Sequence, residues 1–174
     1  MKDAGKFEQV VEAWYAPLYR FALSLTHDEA AAADLTQESF RRYASKAPEM
    51  NDSVKAKAWL FTTLHRRFLE ERRHRQKFPH VEVESADLEL PAVMPTNLDA
   101  ETVREALNQL DEVYRGPVAL FYLEDYSYRE IAQILEIPIG TVMSRLARGK
   151  AALRKLLMEN ETAPTGVSSK EEEL

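Results

Sequence analysis

Apolar residues recur at helical spacing over two long stretches of this 174-residue chain, and one break separates them. No stretch shows sustained alternation of period two with β-branched residues, so strands are not expected. The break is residues 78–96, which hold Pro79, Pro91 and Pro95, many acids and no helical stripe. A segment of that composition cannot bury a helix face and reads as a linker. The expectation is an all-α chain with helical domains at 1–77 and 98–160, an acidic linker at 78–97 and a disordered tail at 161–174.

Local signals place the helices. The first is expected over Phe7–Leu25, with Pro17 as a kink or break. Thr26 and Glu29 have the spacing of a capping box, and the next helix runs to about Ala47 with Leu35, Phe40 and Tyr43 in its core. A loop and a helix start fall within Pro48–Lys57. A third helix covers Ala58 to about Gln76, its stripe Leu60, Phe61, Leu64 and Phe68 leaving the arginines opposite. After the linker, order resumes near Leu98, capped by Thr96 or Asn97, with Val103, Leu107, Leu110 and Tyr114 as its stripe. Pro117 suits an early position of a helix through Leu123.

The net charge of −6 conceals segregation. Residues 81–112 hold nine acids and one base, whereas His65–Lys77 hold six Lys or Arg and two Glu, and Ser144–Lys155 five Lys or Arg and no acid. Nucleic-acid affinity follows such local blocks rather than the total, although a solvated helix face is the alternative for either. Cysteine is absent, which excludes disulfides and thiolate metal sites and is compatible with the cytosol. No apolar run reaches about 18 residues, so no membrane span is expected. The N-terminus lacks the apolar core of a signal peptide.

The most informative segment is 127–156. Ser127 and Glu130 form a second capping box, opening a helix at Tyr128 with Ile131, Ala132 and Leu135 inward. Pro138 cannot continue that helix, and a new one starts at Gly140-Thr141. Val142, Leu146 and Leu153 face inward, leaving Met143, Ser144, Ala147, Arg148 and Lys150 outward. A short helix, a tight turn and an outward basic helix suit the DNA major groove, whose width admits one helix. An αα-hairpin with a solvated basic face has the same pattern.

The words of this segment, Ser127-Tyr-Arg-Glu-Ile-Ala132, Leu135-Glu-Ile-Pro138 and Gly140-Thr-Val-Met-Ser-Arg-Leu-Ala-Arg-Gly149, closely resemble region 4 of extracytoplasmic-function sigma factors, group 4 of the sigma-70 family. These are small two-domain specificity subunits of bacterial RNA polymerase. Leu110-Asp-Glu-Val-Tyr-Arg115 and Leu120-Phe-Tyr-Leu-Glu124 resemble the same region. Ala33-Asp-Leu-Thr-Gln-Glu38 with Phe40 resembles region 2.2, and Trp59-Leu-Phe-Thr62 the start of region 2.3. The resemblance covers about residues 7–77 and 98–157, in the family's order and spacing.

The resemblance implies a sigma factor that binds core RNA polymerase through the β′ clamp and β flap and directs it to promoter DNA in the cytoplasm. It implies no cofactor, metal or catalytic residue. Family members are often held by an anti-sigma factor. The matching polymerase-binding positions are Asp34, Leu35, Gln37, Glu38 and Phe40. Those for minus-10 recognition and melting are Trp59, Phe61, Arg66, Arg67, Arg72, Arg73 and Arg75, where arginines supply charge for a displaced strand and aromatics a surface for an extruded base. At the minus-35 element, Met143, Ser144, Ala147 and Arg148 fall near bases, and Arg129, Thr141, Arg145 and Lys150 near phosphates.

Several positions depart from the family. Leu64-His65-Arg66 stands where relatives often have Ala-Arg-Asn, and Glu70 where an Asp is frequent. Met143 replaces a frequent Lys or Arg, which favours apolar or shape-based readout. Glu136 replaces a frequent Gly, at a strain of about 1 kcal/mol if its backbone is left-handed. His65 and His74 read as solvated or phosphate-facing, with pH sensitivity as the alternative. The acidic linker suits a channel built for RNA, as the resemblance implies for polymerase, a fold-back onto the basic lobes or a solubilising tether. A free-standing helix-turn-helix regulator and a polymerase-binding adaptor are the alternative functions. An enzyme is disfavoured by the absence of a phosphate loop or a metal-ligand cluster.

Overall fold

The computed structural model describes residues 2–46, 53–75 and 100–162. These form α1 (Lys2–Thr26), α2 (Glu29–Lys46), α3 (Ser53–Arg75), α4 (Ala100–Gln109), α5 (Glu112–Tyr122), α6 (Tyr128–Leu135) and α7 (Ile139–Thr162). No strand occurs among the described residues, and the all-α architecture with two helical lobes stands as expected. The acidic linker, the Thr96 or Asn97 cap and residues 163–174 of the tail lie outside the described residues.

In the first lobe α1, α2 and α3 pack against one another. Leu35, Phe40 and Tyr43 are buried, as are Leu60, Phe61 and Leu64, while Phe68 packs at the edge of the core. Pro17 lies within the continuous α1, and α3 begins at Ser53, inside the Pro48–Lys57 segment expected to hold a helix start. The expected Thr26 capping box is not formed. Because α1 runs through Thr26, its hydroxyl donates back to the Ala22 carbonyl at 3.0 Å. Asp28 caps α2 instead, accepting from the Ala31 N–H at 2.7 Å. His27 between them takes a left-handed φ of 54°.

In the second lobe α4, α5 and α6 pack on α7. The stripe read as continuous from Val103 to Tyr114 is divided: Asp111 caps α5 by accepting from the Val113 N–H at 3.1 Å. Pro117 is therefore the sixth residue of α5, and it is buried. The Ser127–Glu130 capping box forms in both directions, and the Ser127 N–H and hydroxyl, both donating to the Glu130 carboxylate, hold its pKa below the usual range. Glu136 ends α6 at φ 56°, ψ 42°. The Pro138 carbonyl then accepts from the N–H groups of Thr141 and Val142, opening α7.

Nothing local in the sequence announces the largest feature of the fold. The lobes are closed on each other: α3 packs on α6, and α1 on α4 and α5. Their buried apolar residues form one cluster running from Val10 to Leu157. At its centre the Phe61 ring lies 5.5 Å from Phe21 of its own lobe and 5.3 Å from Tyr126 of the other.

Candidate nucleic-acid interface

The helix-turn-helix is built by one-sided burial of α7. Val142, Leu146, Leu153 and Leu157 are all 1% exposed or less, which turns the intervening positions outward. Met143 is 52% exposed and Ser144 is exposed, with the Ser144 hydroxyl donating to the Thr141 carbonyl. Thr141, Arg145, Ala147 and Arg148 are half-buried beside them, and Arg129 is exposed on α6. Lys150, expected near phosphates, is half-buried. Its ammonium lies 4.2 Å from the centre of the Phe121 ring, with Tyr122 and Tyr128 nearby, an attraction of cation to ring face. Ile139 is also exposed, extending the apolar part of the α7 N-terminal turn.

On α2, Asp34 and Gln37 are exposed and Glu38 is half-buried. The Glu38 carboxylate accepts from Arg41 and Arg42, each at 2.7 Å, and those donors lower its pKa to about 2. Glu38 is thus anionic throughout the physiological range. Leu35 is buried under this face, whereas Phe40, itself 6% exposed, stacks 6.1 Å from the half-exposed Tyr15.

The minus-10 candidates on α3 divide. Phe61 is fully buried, so it supports the lobe junction and presents no ring at the surface. Trp59 is half-buried, 5.9 Å from Tyr43. Arg67 and Arg75 pair within the helix with Glu70 or Glu71, and Arg73 is exposed. Arg66 and Arg72 reach the other lobe. Arg66 donates through both arms of its fork to Glu136, Nε at 2.8 Å, and Arg72 Nε lies 2.9 Å from Glu112.

His65 is half-buried rather than solvated. It lies at the lobe junction beside the Phe21 ring, with Glu136 and Arg145 nearby. Burial pushes its pKa down to about 4, against the opposing pull of Glu136.

Sequence reading missed the rest of this junction. Arg20 of α1 pairs with Glu124, whose side chain is only 6% exposed, and burial raises the Glu124 pKa. Lys57 sits between the Trp14 and Tyr126 rings at 5.0 and 4.1 Å. His27 contacts Asn108 and Arg115. One signal was available: Arg66 and Glu136 were both departures from the family pattern, and their charges are opposite.

A two-lobed helical protein with an acidic α2 face, an arginine-rich α3 and an exposed second helix in a helix-turn-helix belongs to the class that couples a protein partner to DNA. Comparison with known proteins narrows the class. The Sigma-70 region 2 family matches residues 10–78, and Sigma-70 region 4 matches residues 100–153. The ECF RNA polymerase sigma factor SigL of Mycobacterium tuberculosis is 34% identical over 90% of this chain and 92% of its own length. SigW of Bacillus subtilis is 26% identical over 90% and 91%. The sigma factor RpoE of Bartonella quintana, solved in complex with the anti-sigma factor NepR, has a TM-score of 0.69 and 30% identity, covering 88% of this chain and 97% of that one. This chain belongs to the ECF sigma factors of the sigma-70 family, which direct RNA polymerase to specific promoters.

Proposed function

We propose that the lobes divide promoter recognition between them, working in the cytoplasm as a non-catalytic subunit of the polymerase. Residues 1–77 dock on core polymerase and act at the minus-10 element, and residues 98–160 read the minus-35 element. The observation that carries this division is the exposed N-terminal turn of α7, which presents Met143 and Ser144 over a buried stripe. The mixed apolar and hydroxyl surface favours thymine methyl groups and groove shape over the guanine readout an arginine would give. Arg129, Thr141, Arg145 and Arg148 flank it and position it on phosphates. Lys150 contributes field rather than a fixed contact, since its ammonium rests on Phe121.

On the first lobe, Asp34, Gln37 and the permanently ionised Glu38 form the polymerase-facing patch, and Leu35 and Phe40 set its position from beneath. Arg66, Arg67, Arg72, Arg73 and Arg75 line the path of the melted strand, with Trp59 the aromatic at its edge. An anti-sigma factor is a candidate partner, as RpoE is solved with one.

The test is transcription in vitro from a genomic-fragment library with bacterial core polymerase, with and without the chain. Start sites appearing only with the chain, sharing motifs near minus-35 and minus-10, are expected. Their absence, together with tight polymerase-free binding to duplex DNA, would replace this reading by a free-standing regulator.

A further inference from the structure

Among the described residues, three ion pairs cross between the lobes, and all three run the same way. Arg20, Arg66 and Arg72 come from the first lobe, and Glu124, Glu136 and Glu112 receive them in the second. Two of these arginines belong to the α3 set proposed above to meet promoter DNA. In the closed chain their forks are occupied by carboxylates, which hold the positions that phosphates would take. Glu136 is the one acceptor in the turn of the helix-turn-helix itself, so the pair ties the minus-10 helix to the minus-35 reader. Both its members stand where the family usually has other residues.

The closed arrangement carries its own opposing terms. The Tyr126 hydroxyl is buried at the junction without a hydrogen-bond partner among the described residues. Glu124 keeps its carboxylate almost out of solvent. Both disfavour closure. Closure is also incompatible with reading both elements together. By their names the minus-35 and minus-10 elements lie about 25 base pairs apart, or roughly 85 Å of duplex at about 3.4 Å per pair. A compact chain of this length is only about 40 Å across.

We propose that the Arg66–Glu136 pair is a latch holding the free chain closed, so that second-lobe glutamates mask the α3 arginines until polymerase and promoter separate the lobes. The inference rests on the assignment of α3 to the minus-10 element, and two independent readouts keep the latch and that assignment apart.

Because the chain has no cysteine, Ala44→Cys and Gln133→Cys place one label on each lobe at exposed positions. Single-molecule energy transfer between them reports closure. A single short-distance population is expected for the parent. Glu136→Gln and Arg66→Glu should each populate a longer distance, and the swap Arg66→Glu with Glu136→Arg should restore the short one. Binding of a fluorescent mixed-sequence single strand of twenty nucleotides should tighten roughly two- to fivefold in Glu136→Gln, because a larger fraction of chains is open. Unchanged distances in both single variants, or an open parent, would overturn the latch. Lengthened distances without tighter binding would keep the latch and overturn the arginine masking. Circular dichroism checks that helices persist, and Glu136→Gly carries the same distance test if Glu136→Gln does not fold.

Discussion

At Glu136 two effects of one residue oppose each other. Its backbone sits at φ 56°, where a side chain is strained by about 1 kcal/mol relative to glycine. Its carboxylate gains an exposed ion pair with Arg66, of a kind worth about 0–1 kcal/mol. The two nearly cancel. Glu136→Gly is therefore expected to leave the unfolding free energy within about 1 kcal/mol of the parent while opening the lobes. Calorimetry checks the first part. His65 is the second residue with a legible consequence. Burial holds its folded pKa near 4, below the 6.5 of the free side chain, so the unfolded chain binds the proton more readily. Stability is then full above pH 6.5 and falls as pH drops towards 4. His27, also lowered by burial and by Arg115, adds in the same direction. Denaturant titrations at pH 7.5 and 5.0 should show the parent losing on the order of 1–2 kcal/mol. In His65→Phe, which can pack against Phe21, most of that loss should vanish.

Among the elements, α7 approaches α5 closely at Gly149. A Cβ at Gly149 would lie 2.5 Å from Val118 Cγ2 and 3.1 Å from Tyr114 Cβ. Alanine gains about 1 kcal/mol of helix propensity over glycine, but an overpacked core loses about 1–3 kcal/mol. Gly149→Ala should therefore lower the melting temperature, with minus-35 duplex binding falling as α7 is displaced. Ser127→Ala should cost about 1 kcal/mol through loss of the α6 cap. That cap was legible because its partners lie three residues apart in the chain. Pro138 and the stripe of α7 were legible for the same reason. The cap of α2 was not, because the choice between Thr26 and Asp28 depends on where α1 stops. Leu25 and His27 at that end contact the second lobe. The place of Phe61 and His65 at the junction was equally hidden, since Tyr126, Glu136 and Arg145 lie some 60 to 80 positions away in the chain.

For the molecule as a whole, a shared core couples the lobes. Phe61→Ala should cost about 3–5 kcal/mol, and calorimetry should show both lobes losing stability together rather than the first alone. Tyr126→Phe should act in the opposite sense. It keeps the ring against Phe61 and Lys57 and removes a buried hydroxyl that has no partner among the described residues. A gain of about 1 kcal/mol is expected, with a larger closed fraction.

The direction of the inter-lobe pairs also bears on how the chain responds to its ionic surroundings. Arginines that meet phosphates displace condensed cations from DNA, so binding normally weakens steeply as salt rises. Here Arg66 and Arg72 must first leave carboxylates, and added salt weakens those pairs as well. The two effects oppose each other, giving a chain that carries its own counter-ions a flatter logarithmic plot of affinity against salt than Glu136→Gln.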